Sequence, residues 1–323
     1  MAAIDISEVE AFGRNAWKIV SPTGATAVVS SRGATLVSWQ PQPGVELISS
    51  YVDAKELDAA VGGRALIMAP WAGAIDGGSY SFDGVDYEIG DDARGLAYEQ
   101  DFCLSSAGST LSLRAQLPTT PGYPWPVEVA VHYSLDSGAD GEEHLSVTIV
   151  AVNRADTAAP LSLGWSPHVK LPGLSAVSNL GVSVPARTRI LTTRYGVPLP
   201  GESAYAGVKA PMKIDYLGAV KLDDYYRGLV PDNYGVVATR VVDPASNAQI
   251  VLTQEPGEAP VVHLNTGDGL NLGARESIQI AAMSHVPDAF NRPDAASSIR
   301  VAAGQSRRMT ATLSYQAAGF SGN

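Results

Sequence analysis

Strict alternation of apolar and polar residues is the feature that most constrains the fold of this chain. Every second residue from Val127 to Leu135 is apolar, and the residues between them include glutamate, histidine and serine. The pattern returns in 145–151, after the turn-like segment SGADGEE, and again in 309–315. Successive side chains of a strand point to opposite faces, so this period predicts half-buried strands. The first two segments predict a β-hairpin.

Strand-like segments recur along the rest of the chain, whereas only 53–61 is compatible with a short helix. The 32 glycines and 21 prolines are spread as turn punctuation, without a linker, a repeat or a low-complexity tract. The sequence therefore predicts an all-β fold, a large single-domain antiparallel β-sandwich over 1–323 with few short helices. The other predicted strands are 17–20, 26–30, 35–40, 110–117, 249–253, 261–264 and 277–282.

The net charge and the hydrophobic content of the chain argue against some classes of binding partner. A chain of 323 residues with 45% hydrophobic residues is long enough to bury a large core. Its net charge of −11 argues against nucleic acid and anionic membranes as partners, because both would repel it. No run of about 18 apolar residues predicts a membrane span.

The cellular location is expected to be the cytoplasm. The first residues, MAAIDISEVEAFGRNAW, contain early acids and lack the apolar stretch of a signal peptide. The single cysteine, Cys103, has no partner for an internal disulfide, which fits a reducing compartment. Its apolar context favours a small buried residue over a nucleophile.

Three segments carry a resemblance to a known family. They are 62–87 (GGRALIMAPWAGAIDGGSYSFDGVDY), 163–173 (LGWSPHVKLPG) and 281–291 (AAMSHVPDAFN). Together they resemble the aldose 1-epimerase (galactose mutarotase) family, and the order of motifs extends over nearly the whole chain. The resemblance implies a large twisted β-sandwich, a galactose mutarotase-like supersandwich, that holds a sugar on an open concave face.

The resemblance also implies a reaction, but this chain departs from the residues that perform it. In the family a glutamate takes the proton of the anomeric hydroxyl, a histidine protonates the ring oxygen, and a second histidine, an arginine and an aspartate hold the sugar. The corresponding positions here are Ala281 or Ala282 for the glutamate, Ser166 for the acid histidine, Arg94 for the second histidine and Ala74 for the arginine. Loss of one general acid or base lowers a rate by about 10²–10⁴, so ordinary mutarotation is expected to be negligible.

One ligand position of the family persists, because Leu222-Asp223 resembles its Leu-Asp motif. We predict Asp223 and His168 as catalytic groups, since the ordinary pKa of an imidazole lies near 6.5. A buried structural His168, paired with the backbone, is the alternative. His263 is a secondary ligand-binding candidate and His285 is expected near the rim of the site.

Four further residues are predicted to bind the ligand, each with an alternative. Arg94 could anchor an anion or pair with Asp91 and Asp92 before it. Trp71 could stack on a ring or belong to the core. The remaining two ligand-binding candidates are Tyr98 and Ser166.

No cofactor or metal is expected. The five histidines show no metal-ligand spacing, and the chain has no phosphate-binding loop or dinucleotide fingerprint. The predicted partner is therefore a small molecule, either a sugar or another cyclic compound, and the chain is expected to be a monomer or a homodimer.

Three functions stay open at this point. The leading hypothesis is an isomerase, cyclase or lyase whose pocket has been reassigned to another small cyclic ligand. The second is a non-catalytic carbohydrate-binding or regulatory protein, supported by the missing acid–base pair. The third is a residual aldose 1-epimerase with relocated groups.

Overall fold

Strands dominate the secondary structure of the chain. The computed structural model describes residues 4–90, 94–138, 142–271 and 273–318. The strands, in chain order, are β1 (Asp5–Ala11), β2 (Arg14–Val20), β3 (Thr26–Ser30), β4 (Leu36–Gln40), β5 (Ile67–Met68), β6 (Ser79–Phe82), β7 (Val85–Glu88), β8 (Cys103–Ala107), β9 (Leu111–Gln116), β10 (Val127–Ser137), β11 (Glu143–Asn153), β12 (Ala159–Pro160), β13 (Gly164–Trp165), β14 (His168–Val169), β15 (Gly181–Val184), β16 (Ala186–Ile190), β17 (Tyr205–Gly207), β18 (Met212–Ile214), β19 (Asp223–Leu229), β20 (Val237–Val242), β21 (Gln249–Gln254), β22 (Val261–Asn265), β23 (Ile278–Met283), β24 (Arg300–Val301) and β25 (Ser306–Gln316).

Helices are short. The helix α1 spans Ala54–Asp58, and the Asp53 side chain caps it by accepting a hydrogen bond from the backbone N–H of Glu56 at 2.8 Å. Single 3₁₀ turns occupy Val61–Gly63, Asp76–Gly78, Ala97–Glu99, Val177–Asn179, Gly201–Ala204 and Ala289–Asn291. In the described residues no helix is long and apolar enough to cross a membrane.

The strands form two large antiparallel sheets and three smaller ones. A nine-stranded sheet has the order β18-β15-β20-β21-β25-β11-β10-β9-β8. An eight-stranded sheet has the order β17-β16-β19-β22-β23-β13-β5, with β14 also paired to β23. The strands β1 to β4 form a four-stranded sheet, while β12 pairs with β24 and β6 with β7. The all-β antiparallel prediction is confirmed.

The core lies between the sheets. One cluster of buried side chains joins Trp39 of the four-stranded sheet, Val129 and Leu313 of the nine-stranded sheet, and Val262 and Ile280 of the eight-stranded sheet. These residues are the apolar members of alternating strands, and their burial supplies the main stabilisation of a sandwich. The hairpin predicted from 127–151 is β10 paired with β11.

Cys103 corrects one expectation from the sequence. Its context predicted a buried residue, but all five residues of β8 are exposed. The strand β8 is the edge of the nine-stranded sheet, so it has a neighbour on one side only. The position of a strand within its sheet, rather than its local hydrophobicity, sets the exposure of Cys103.

Candidate functional site

One face of the eight-stranded sheet carries most of the polar residues predicted from the sequence. Directly paired residues of antiparallel strands share a face, and β22 pairs His263 with Ala281 of β23. The strand β19 pairs Tyr225 with His263, and β14 pairs His168 with Gln279. Because Gln279 and Ala281 are two residues apart on one strand, all five side chains lie on one side. We call this side the site face.

The register assigns different surroundings to Ala281 and Ala282. Ala281 is on the site face opposite His263, whereas Ala282 pairs with Val262 and Trp165 and belongs to the main core. Both alanines are 0% exposed. The sequence left Ala281 and Ala282 open as the position of the family's glutamate. Of the two, Ala281 is on the side of the sheet that carries the histidines.

An aspartate–histidine pair occupies the exposed end of the site face. The Nε2 atom of His263 is 2.8 Å from Oδ1 of Asp223, and Asn265 donates to the same oxygen at 3.0 Å. The side chain of Asp223 is 71% exposed, whereas that of His263 is 10% exposed. These hydrogen bonds lower the pKa of Asp223 below its usual range, with His263 as the larger cause. Asp223 is therefore a carboxylate at neutral pH and orients the His263 ring.

Cross-strand packing fixes the ring of His263 as well. The Tyr225 ring stacks on it with centroids 3.9 Å apart and an interplanar angle of 7°. Tyr225 is buried, and desolvation raises its pKa far above the usual value, so the phenol stays protonated. A carboxylate on one ring nitrogen and an aromatic plane on one face leave the imidazole little freedom to rotate.

His168 lies deeper on the same face and has different surroundings. It is 3% exposed, and neither ring nitrogen has a hydrogen-bond partner of good geometry among the described residues. Desolvation, together with the positive charge of Arg64, lowers the pKa of His168 to about 3. The ring is therefore neutral at pH 7, a form that accepts a proton rather than donates one, and its predicted catalytic role stays a prediction.

The Ser166 hydroxyl links two segments by hydrogen bonds and is not free to bind a ligand. Its hydroxyl donates to the carbonyl of Gly63 at 2.8 Å and accepts from the backbone N–H of Leu66 at 3.1 Å. Its backbone N–H donates to the carbonyl of Leu66. Because Ser166 is 1% exposed, its hydroxyl is occupied by this link between β13 and the loop before β5.

Trp71 belongs to the core. It is 2% exposed, and its ring centroid is 6.0 Å from that of Tyr123, within an aromatic cluster that includes Trp125. Of the two alternatives left by the sequence, the structure favours the core position over an exposed stacking platform.

Arg94 and Tyr98 contact each other beside α1. The guanidinium carbon of Arg94 lies 4.5 Å from the centroid of the Tyr98 ring, and its Nη1 atom donates to the carbonyl of Ala59 at 3.1 Å. Tyr98 is buried, and its hydroxyl donates to Glu99 at 3.0 Å. The alternative pairing of Arg94 with residues 91 and 92 lies outside the described residues.

His285 is separated from the aspartate–histidine pair. It follows the end of β23, two residues beyond Met283, and is 7% exposed. Its ring nitrogens lie 2.9 Å from the hydroxyl of Ser284 and 3.2 Å from that of Ser298. Desolvation lowers the pKa of His285 to about 3. It lines a cleft of about 270 Å³ that contains no other residue predicted from the sequence.

Packing accounts for Gly73, which precedes Ala74, the position where the resemblance implies arginine. Gly73 has a φ of +85°, and a Cβ atom there would lie 3.0 Å from Pro287. The carbonyl of Ala74 accepts a hydrogen bond from the backbone N–H of Asp288 at 2.6 Å. The first and last motifs thus meet through backbone contact, which favours glycine at position 73.

Much of the site face is covered by apolar side chains. A Cβ atom on Gly164 would lie 2.5 Å from Cε of Met68, so Met68 packs directly over that glycine. The apolar cluster on this side consists of Ala60, Leu66, Met68, Ala72, Tyr98, Ile190, Ala204, Tyr225, Val261, Met283 and Val286. Asp223 and Asn265 form the polar, solvent-facing border of this cluster.

Sequence reasoning missed two polar residues of this region. Asn265 follows His263 by two residues on β22, so the strand period alone places them on one face. Arg64 is 6% exposed and donates to the carbonyl of Ser50 at 2.6 Å. A single arginine inside the apolar segment GGRALIM was the available signal for it. Within the described ranges no group of three or more His, Cys, Asp or Glu side chains could hold a metal ion.

Comparisons with known proteins agree on one family. The aldose 1-epimerase family profile matches residues 15–314. A protein of Escherichia coli strain K12 called uncharacterized protein YihR is 29% identical over 170 residues. This match spans about half of each protein, 50% of this chain and 52% of YihR.

Solved structures with the same fold cover the chain almost completely. A galactose mutarotase-like protein from Clostridium acetobutylicum has a TM-score of 0.78 at 13% identity, covering 98% of this chain and 99% of its own. An aldose epimerase homologue from C. elegans has a TM-score of 0.77 at 15% identity, with coverages of 98% and 100%. A galactose 1-epimerase from Lactobacillus acidophilus has a TM-score of 0.77 at 14% identity, with coverages of 98% and 99%. The galactose mutarotase-like fold is confirmed, and the profile match over residues 15–314 shows that the chain belongs to the aldose 1-epimerase family.

Proposed function

We propose that this protein transfers protons on a small cyclic ligand, a sugar or a compound of similar size, with the Asp223–His263 pair as its acid–base group. The reaction class is that of an isomerase, cyclase or lyase, and the family's sugar site has been reassigned to it. The observation that carries the proposal is the 2.8 Å contact between Asp223 and His263 at the exposed end of the site face.

The chemistry of the pair supports this role. A carboxylate that accepts from Nε2 of a neutral imidazole fixes the tautomer in which Nδ1 is the acceptor. His263 can then take a proton from a ligand at Nδ1, and the Asp223 carboxylate stabilises the imidazolium that results. Return of that proton to another atom of the ligand completes an isomerisation. In an elimination, the C–H electrons form a double bond while the adjacent C–O bond breaks, and the proton passes to the departing hydroxyl, which leaves as water.

The positions that resemble the family's reactive residues support a change of reaction. Ala281 offers no carboxylate, and the hydroxyl of Ser166 is hydrogen bonded within the protein. His168 is on the same face but is neutral and buried, since its pKa is lowered to about 3. We therefore assign proton exchange to His263 and to the solvent-facing Asp223 that is hydrogen bonded to it.

The test is proton exchange, which can be measured whatever product the reaction forms. The protein is incubated in D₂O with a panel of aldoses, sugar acids and lactones, and NMR follows both anomer exchange and deuterium incorporation at carbon. We expect at least one ligand to exchange faster than in buffer, and Asp223→Asn to slow that exchange by about 10²-fold or more.

A matched variant controls for the loss of a carboxylate. Asp224→Asn changes the next residue of β19, whose side chain lies on the opposite face near Arg189, at 3.8 Å. It should retain the exchange rate of the unmodified protein. Equal loss in both variants, or exchange that persists in Asp223→Asn, would contradict the proposal.

A non-catalytic carbohydrate-binding protein is the second candidate. The burial of His168 and the internal hydrogen bonds of Ser166 favour it, because both keep potential reactive groups away from a ligand. Calorimetric binding of a sugar without any acceleration of exchange would select this function. Acceleration of galactose anomer exchange alone would instead select a residual aldose 1-epimerase with relocated groups.

A further inference from the structure

A second polar cleft lies away from the aspartate–histidine pair. It has a volume of about 270 Å³ and lies among Arg227 of β19, the loop before β22, the segment after β23 and Arg307 of β25. This volume is slightly below the usual range for drug-sized ligands, so it suits a small molecule. None of the residues Asp223, His263 and Asn265 lines it.

Arg307 is the charged residue of the cleft whose guanidinium has no carboxylate partner among the described residues. Its Nε atom is buried without a hydrogen-bond partner, and its Nη2 atom donates to the carbonyl of Ser298. Among the described residues Arg307 forms no ion pair with a carboxylate. Arg307 is half-buried, and its buried Nε atom lacks a partner, so an anion in the cleft would stabilise this guanidinium.

The two carboxylates of the cleft do not neutralise Arg307, because both lie near other arginines. Two carboxylates line the cleft, and each already has an arginine nearby. Asp294 is 2.9 Å from Arg292 and 3.7 Å from Arg227, whereas Glu258 is 3.8 Å from Arg308.

Two arginines and two carboxylates line the cleft, and both carboxylates lie near arginines other than Arg307, in a chain whose net charge is −11. A cleft arginine without a carboxylate partner favours an anionic ligand.

The remaining polar groups of the cleft are neutral. The ring of His285 is held between the hydroxyls of Ser284 and Ser298, and the positive charge of Arg307 helps to keep it unprotonated. These groups add hydrogen-bonding capacity without adding negative charge. Planar guanidinium groups bind carboxylate and phosphate oxygens in a bidentate manner.

We propose that this cleft binds the oxyanion group of a small molecule, a carboxylate or a phosphate, with the guanidinium of Arg307 as the anchor. The site is distinct from the proposed acid–base pair and does not depend on it.

Titration calorimetry at constant ionic strength tests this inference with three probes: inorganic phosphate, D-galacturonate and D-galactose. We expect phosphate or galacturonate to bind, and Arg307→Gln to weaken that binding at least tenfold. Similar affinity for both oxyanions would identify a free ion as the ligand, whereas tighter binding of galacturonate would identify an organic acid. Galactose lacks the carboxylate, so its binding is expected to be unaffected by Arg307→Gln.

Two further variants keep the test decisive. Arg114→Gln removes an exposed arginine of β9 and should leave oxyanion binding unchanged. Arg307→Lys keeps the charge but loses the planar fork, so it should bind with intermediate affinity, and it serves if Arg307→Gln does not fold. Absence of oxyanion binding at millimolar concentrations, or equal losses in the Arg114 and Arg307 variants, would overturn the proposal.

Discussion

The site face of the eight-stranded sheet has two regions that treat polar residues in opposite ways. In the buried region, Ser166 ties two segments together, and His168 is enclosed and neutral at pH 7. At the exposed end, Asp223 and His263 form a hydrogen-bonded pair next to solvent. Residue type alone does not separate the two regions, since each contains a histidine.

Both histidines are buried, so their partners decide which of them can exchange protons. Desolvation disfavours the charged form of a histidine, so a buried imidazole without a carboxylate partner is a poor acid near neutral pH. A carboxylate that faces water keeps its charge and can orient a neighbouring ring. Four measurements test this contrast.

Acid should destabilise the protein through its buried histidines, and this is the largest expected effect. The pKa values of His168 and His285 are lowered to about 3, whereas those of unfolded histidines lie near 6.5. Between these values the unfolded chain binds more protons, so the free energy of unfolding falls as pH decreases below 6.5. Two such groups predict a loss of about 5 kcal/mol between pH 7 and pH 4.5. Urea unfolding across this range measures the loss, and His168→Leu should reduce it by about half.

Ser166→Ala is expected to have the second-largest effect on the free energy of unfolding. Ser166→Ala leaves the backbone carbonyl of Gly63 and N–H of Leu66 without their partner, which predicts a loss of about 2–3 kcal/mol. Ser277→Ala is the matched control, because the Ser277 hydroxyl is buried without a partner among the described residues. Equal stability of the two variants in urea unfolding would show that the hydrogen bonds of Ser166 do not stabilise the fold.

His168→Leu should be neutral or stabilising at pH 7, by about 1 kcal/mol. The substitution removes two buried ring nitrogens that lack hydrogen-bond partners of good geometry and replaces them with an apolar side chain. Thermal unfolding of the variant measures the change. A marked destabilisation would indicate that the ring makes a polar contact on which the buried region depends.

Asp223→Asn should have the smallest effect on stability. Its solvent-facing hydrogen bond with His263 predicts a change below about 1 kcal/mol. The same variant should lose proton exchange on the ligand, so stability and function separate at the exposed end. A large loss of stability would place Asp223 among the structural residues instead.

The fold could be predicted largely because it rests on local periodicity. The alternation in 127–135 and 145–151 is the direct signature of β10 and β11, and β3 begins and ends where the sequence predicted. Exposure was harder to predict, as Cys103 shows, because the place of β8 at a sheet edge depends on contacts distant in sequence.

The candidate site was predicted in part. Asp223 and His263 were both named, but their pairing depends on the register of β19 and β22, which join residues 40 apart in the chain. His168 was predicted as a catalytic acid or base because a free imidazole titrates near 6.5. Its burial depends on contacts distant in sequence, among them the pairing of β14 with β23, which local sequence does not encode.

The protonation state of His168 is the most direct test of this account. Side-chain NMR of the imidazole, recorded from pH 7 downward, reports whether the ring gains a proton while the protein is folded. We expect His168 to stay neutral to at least pH 5, as its pKa of about 3 requires. Protonation with a midpoint near 6.5 would contradict the account, because an accessible, titrating His168 would be available as the catalytic acid.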